Sequence, residues 1–389
     1  MKKIIIKLIV LIIIIFSIAL VFKYLMNPKN EKSIDFTPET IKNTRAIVYF
    51  SPTADNDFDN QAISYAIFID HKNNTKGLKM KGLELGSVLY KNNTILLEDK
   101  NSIKLLDDEV KIFNMDDKQY TGELTGYLKP NDIFFSIYNT GLINGQYHSN
   151  IRYGNANGFK LDDIPSYIFT SGSDQSQIYL MTSDIEKGTY EVQTATINDK
   201  IQINILTSLR ELYGKDLFPL SGILSNDTNL YILYGEPIND NEFTISLLSV
   251  NKVTGKQQIN LLKSEENSNI SAYFPYSVKS SSSIIDNTLY YVDGTGAVYS
   301  IDLNTKNMEL NFTLKGASNK GNRVISQVKF YKDSLFYLYR SQKEKIFLDR
   351  YDLHSKERNQ HNEIKGIHPI LSENNGKNLS SYDLEIINP

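Results

Sequence analysis

The 389-residue chain contains no cysteine and no tryptophan. Without cysteine there is no disulfide framework, no thiol nucleophile, no Cys-ligated zinc, no iron–sulfur cluster and no cysteine-borne lipid anchor. Charge of one sign is also missing. The 42 basic and 45 acidic side chains leave a net charge of −3, which supplies no basic face for nucleic acid. What the chain does have is apolar content, 41% of residues, enough to build a large core as one big domain or two medium ones. Its aromatic residues, 11% of the chain, are 25 tyrosines and 18 phenylalanines.

One long hydrophobic run opens the sequence. Met1-Lys2-Lys3-Ile4-Ile5-Ile6-Lys7 precedes an uninterrupted apolar stretch from Leu8 to Phe22, then Lys23-Tyr24-Leu25-Met26. The flanking lysines can snorkel, so Ile4 to Met26 offers 23 positions to a hydrocarbon layer that needs about 20. A transmembrane anchor over residues 1–26 is the expectation. A cleaved signal peptide competes, because Ser17-Ile18-Ala19 has small residues at peptidase spacing, but apolar residues continue past Ala19. Lysines on both flanks give little orientation bias; a short basic N-terminus and a cysteine-free body place the following domain outside the cell membrane. Residues 1–32 hold six lysines and one glutamate, so the remainder carries 36 basic against 44 acidic groups and tends to stand off an anionic surface. Residues 27–44, with Pro28 and Pro38, read as a linker.

From Arg45 onward, short apolar and aromatic runs with period-two alternation are broken by Asn, Asp, Gly, Lys and Ser clusters, an all-β pattern. The clearest unit runs Ser283-Ile284-Ile285, a turn at Asp286-Asn287-Thr288, Leu289 to Val292, a turn at Asp293 to Gly296, and Ala297 to Leu303, closed by Asn304-Thr305-Lys306. Echoes begin near Ala46, Thr94, Ile133, Ile178, Leu230 and Leu335, making seven units. Residues 45–389 divided by seven give about 49 per unit, near the roughly 40 to 50 of a four-stranded propeller blade; the irregular period leaves six or eight blades open.

The segment Asp286 to Lys306, with its echo at Asn251 to Lys256, resembles the bacterial extracytoplasmic β-propellers with YVTN or PQQ-like repeats. The resemblance implies a ring closed by pairing of the chain ends, for which Arg45–Ser51 and Ser381–Ile387 are suitable strands. It implies no activity. WD-type propellers and quinone-dependent dehydrogenases are both unexpected, since each would bring tryptophan motifs that the chain lacks.

Candidate chemistry is sparse. Asp55, Asp57 and Asp59 alternate as calcium ligands do, although Asn60 and Ala66 stand where an EF-hand needs Gly and Glu. A structural calcium ion is the one cofactor such a loop would take, and a solvated loop is its plain alternative. His354, His361 and His368 recur at a spacing too wide for one metal on a helix and wrong-faced on a strand. Ser326-Gln327-Val328-Lys329 matches Ser-x-x-Lys without its companion motifs, and Gly294-Thr295-Gly296 is followed by no helix. Seven arginines permit a sialidase-type triad arithmetically, but no Asp-box repeat accompanies them. Most aromatic clusters fit packing between blades; Tyr273 and Tyr276 flank Pro275 and are the candidates for ligand contact. No catalytic residue is nominated. The expected role is a membrane-tethered, extracytoplasmic binding or scaffold module for a protein or cell-envelope polymer, with loops Asn139–Gly158 and Gly235–Glu242 forming its face. A glycan-acting enzyme using the central channel is the alternative.

Overall fold

The computed structural model describes residues 38–56, 62–143, 145–184, 187–239, 242–266, 273–317, 324–372 and 379–389. The apolar run over residues 4–26 and most of the linker lie outside these; among the described residues no helix is long and apolar enough to cross a membrane.

Each run bounded by turn residues forms a strand, and the strands assemble antiparallel into seven sheets in chain order. Six sheets have four strands and one has five, its innermost strand being split. We number the blades 1 to 7 from the sheet that holds Thr44–Ser51. The six echoes read from the sequence begin in the second strand of a blade, from Thr44–Ser51 and Thr94–Asp99 to Ser334–Arg340, and the clearest unit begins at Ser283 in the first strand of blade 6.

Alternation explains why these second strands read as continuous apolar runs. In Ser334–Arg340, Phe336 and Leu338 pack with Val48, Phe50 and Leu384 of blade 1, while Leu335, Tyr337 and Tyr339 pack with Val292 and Val298 of blade 6. In Asn229–Asn239, Leu230, Ile232 and Tyr234 face blade 4, and Tyr231 and Leu233 face blade 6. Both faces of a blade are interior, so both positions of the period-two pattern must be apolar. Outer strands are wetter. Val110–Asn114 alternates exposed and partly buried residues.

The ring closes as the sequence indicates. Thr44–Ser51 pairs antiparallel with Ser380–Ile386 on one side and with Ile63–Asp70 on the other, with Val48 opposite Leu384. One C-terminal strand therefore completes the first blade as its innermost strand and covers the edge that Thr44–Ser51 would otherwise expose. A short helix, Pro38–Asn43, leads into this strand with Ile41 buried.

The expected loops Asn139–Gly158 and Gly235–Glu242 are instead extended hairpins. Ile133–Ile143 pairs with Gln146–Asn155 in blade 3, and Asn229–Asn239 with Glu242–Asn251 in blade 5. Cross-strand pairing supplies the backbone hydrogen bonds that the polar sequence Asn139-Thr140-Gly141 would otherwise have sought in water. Pro237 is tolerated because the inner neighbour reaches only Gly235, opposite Phe218, so no inner ladder bond is lost. Both hairpins turn between the second and third strands of their blades and so rise on one face of the ring.

Candidate functional site

The innermost strands surround a central channel. Crowding at the axis favours small residues, seen in Ser171-Gly172-Ser173 of blade 4 and Gly222 of blade 5, where an added Cβ at Gly172 would lie 1.9 Å from the Ile223 carbonyl oxygen. In blade 5 the inner strand is broken into Phe218–Pro219 and Leu224–Ser225. The gap turns the Gly222 N–H outward, and it donates to the Val278 carbonyl at 2.8 Å.

Val278 belongs to an irregular segment, Tyr273 to Ser281, that precedes blade 6. Pro275 deprives it of a ladder donor. From this segment Lys279 crosses to the connection between blades 1 and 2, where Nζ donates to the Leu85 carbonyl and, at 3.0 Å, to the Ser87 hydroxyl. A cavity of about 490 Å³ remains beside it, lined among others by Glu123, Phe169, Tyr276, Lys279 and Tyr382.

Two carboxyls converge on Lys279. Glu123 accepts from the Ser171 hydroxyl at 2.8 Å and from the Asn139 amide at 3.2 Å. Glu98 accepts from the Ser87 N–H at 2.8 Å. Burial pushes both carboxyls above their ordinary range, and the nearby Lys279 charge only partly offsets this. A second charged group sits where blades 7, 1 and 2 meet. Lys329 pairs with Glu385 at 2.6 Å, and Asp383 accepts from the Val88 N–H at 2.9 Å. Burial works against the Lys329 ammonium, but Glu385 and Asp383 outweigh it and hold its pKa up; burial raises Glu385. Glu123 and Lys279 thus set a carboxyl and an ammonium in the cavity wall, which suits a polar, hydrogen-bonding group.

The tyrosine pair divides. Tyr276 lines the cavity, its hydroxyl 3.5 Å from that of Tyr337. Tyr273 packs against Phe243, with ring centroids 5.0 Å apart, and its carbonyl accepts from the Tyr291 hydroxyl at 2.9 Å. Asp55 lies in the single 3-10 turn Ala54–Asn56 of blade 1, on the same face as the two hairpins; Asp57 and Asp59 fall outside the described residues. Among the described residues no group of three or more His, Asp or Glu is placed to hold a metal ion.

The spaced histidines have separate partners: His354 with Asp333 at 3.8 Å, His361 with buried Asp349 at 2.7 Å, and His368 with the Glu344 carbonyl at 2.7 Å. Lys329 of the Ser-x-x-Lys match is spent on Glu385 within the strand Ser326–Tyr331. Arg152 is fully buried away from the channel, joined to Asp117 at 2.7 and 3.0 Å and to the carbonyls of Asp99 and Lys100 at 3.0 and 2.9 Å. Arg350 bonds Ser334 and Arg358 bonds Asp349, so these arginines serve separate local contacts. Glu98, Glu123 and Lys279 escaped notice in the sequence. Their one local signal is a charge placed within or beside otherwise apolar strands such as Thr94–Asp99.

Seven antiparallel sheets, closed by a strand from each end of the chain, define a seven-bladed β-propeller. More narrowly, the chain belongs to the YycP β-propeller family, whose domain model matches residues 39–387. It is 27% identical over 356 residues to the uncharacterized protein YycP of Bacillus subtilis (strain 168), spanning 90% of this chain and 89% of that one. Among solved structures, apo AztD from Citrobacter koseri is similar at 12% identity, covering 88% of this chain and 97% of that one with a TM-score of 0.47. BamB from Moraxella catarrhalis is similar at 9% identity over 87% and 85%, with a TM-score of 0.43. The fold assignment rests on the sheet order, not on these distant likenesses.

Proposed function

We propose that the protein is a membrane-tethered, extracytoplasmic binding module that recognises a protein or cell-envelope partner on the hairpin face of its ring. One observation carries this reading. The extended hairpins of blades 3 and 5 raise apolar side chains on that face, with Leu142 61%, Ile238 52% and Tyr147 37% exposed. Apolar groups held on paired strands cost little entropy to dock, and a rigid ring keeps their spacing. The run Ile4 to Met26 supports the tether.

In-cell crosslinking of the full chain, followed by quantitative mass spectrometry against a control anchored by residues 1–44 alone, tests it. One or two defined partners should be enriched, and Leu142→Asp with Ile238→Asp should remove them. Retention of the same partners by that double variant would sink the reading.

A second reading has its own observation, the Glu123 carboxyl in the cavity wall, raised by burial, with the Lys279 ammonium beside it. It makes the channel a glycan-acting site. Release of soluble sugar from envelope glycans by the wild type and its loss in Glu123→Gln would favour that reading over the first.

A further inference from the structure

We propose that the opposite face of the ring carries a second site, a groove between blades 5 and 6 that binds a polyol phosphodiester. The groove encloses about 430 Å³ and is built from turns on both blades. Blade 5 contributes Asn226–Asn229 and Asn251–Lys256, and blade 6 contributes Asn287 and Leu303–Lys306. These turns join first to second and third to fourth strands, which places them away from the hairpin face.

The walls are rigid for a local reason. Asn251 Oδ1 accepts from the N–H groups of Val253 and Thr254 at 3.1 and 2.9 Å, and Asp302 Oδ1 does the same for Asn304 and Thr305 at 2.8 Å each. Gly255 completes its turn at φ +67°, where a Cβ would also meet the Leu206 carbonyl. The Lys252 N–H donates to the Thr228 carbonyl at 2.9 Å and the Leu303 N–H to the Asn287 carbonyl at 3.0 Å, tying the turns of each blade together.

Three features select the ligand class. First, Lys256 and Lys306 line the groove, and the bordering Asp302 carboxylate is taken up by the Asn304 and Thr305 N–H groups, which calls for an anion. Second, amides and hydroxyls make up most of the remaining wall. Asn251, Asn287 and Asn304 bring side-chain amides to it, Thr228, Ser249 and Thr254 bring hydroxyls, and Asn251 turns its Oδ1 to its own loop. Paired amide donors and acceptors match alcohol groups, which both give and take hydrogen bonds. Third, Tyr231 is the one aromatic residue of the lining, and Lys306 Nζ lies 5.2 Å over its ring. With that face taken, no platform is offered to a nucleobase. Phosphate-linked alcohols satisfy all three, whether as a soluble chain or as a lipid headgroup. Val253, 88% exposed at the turn tip beside the groove, leaves room for the lipid source.

The test uses the full chain in phosphatidylcholine nanodiscs, titrated calorimetrically with glycerophosphoglycerol and with glycerol. Saturable binding of the phosphodiester alone is expected, weakened about tenfold in Lys256→Glu as one charge-assisted contact is lost. Asn304→Ala should weaken binding without moving the melting temperature. Nanodiscs containing phosphatidylglycerol should compete with the soluble probe if a headgroup fills the groove; the same affinity in both discs assigns the soluble chain. Absence of saturable binding, equal binding of glycerol, or wild-type affinity in Lys256→Glu would overturn the proposal.

Discussion

Lys279 donates from Nζ to the Ser87 hydroxyl at 3.0 Å, tying the segment before blade 6 to the connection before blade 2 and passing over blades 7 and 1. This link crosses the channel instead of joining neighbouring blades. It also brings a positive charge near Glu98 and Glu123 that partly offsets the effect of their burial.

Replacing Lys279 with Met should therefore break this link and leave two buried carboxyls without their nearby ammonium. A cost of about 2–3 kcal/mol at neutral pH is expected, below that of a fully buried pair because Lys279 is half-buried. Urea unfolding at pH 5 should show a smaller loss than at pH 7.5, since protonated carboxyls no longer need the ammonium. An equal loss at both values would mean that Lys279 acts only by packing.

Glu123 makes a pH prediction of definite sign. Its folded pKa is raised above the unfolded value of about 4.3, so the folded state holds the proton longer and stability falls as pH rises through that window. Glu123→Gln should flatten the fall, leaving the part due to Glu98, Glu385 and Asp293, which burial raises likewise. Asp70 and Asp174 are lowered instead and act only below about pH 4, outside the window. Unfolding midpoints of the variant and wild type between about pH 4.5 and 8 check this.

Arg152 joins blades 2 and 3 through five hydrogen bonds and a cation–π contact with Tyr138 at 4.9 Å. Arg152→Met should cost about 3–5 kcal/mol, because Asp117 and the Asp99 and Lys100 carbonyls lose their donor. Arg152→Lys should recover little of it, since an ammonium cannot reproduce the planar fork. Chemical denaturation of the three forms gives the comparison.

Closure depends on the C-terminal strand. Leu384 is fully buried opposite Val48, and Leu384→Ala should cost about 2–5 kcal/mol. Deleting residues 380–389 should do more, exposing Thr44–Ser51 as an open edge and replacing cooperative unfolding by aggregation. Calorimetry with light scattering distinguishes the two outcomes.

Much of the architecture was written locally. The turn Asp286-Asn287, with Asp286 at φ 53°, and the runs on either side of it are strand and hairpin signals readable without any partner. The second strands announced themselves because both of their faces are interior. Inner strands were harder: Leu224–Ser225 and the Ser171-Gly172-Ser173 stretch carry small and polar residues, chosen by crowding at an axis that no window of sequence displays. The hairpin beyond Asn139 has the sequence of a loop for a related reason, since its strand character comes from Gln146–Asn155 lying alongside.

By itself, then, the sequence determined the β class, the rough blade period, the pairing of the chain ends and the absence of thiol chemistry, all of which follow from composition, alternation and turn residues close together in the chain. Only the tertiary structure decided that there are seven blades, that Lys279 meets the wall bearing Glu98 and Glu123, and that turns of blades 5 and 6 enclose one groove. Those features join residues far apart in the chain, and their geometry exists only once the blade count and closure have fixed which strands face each other.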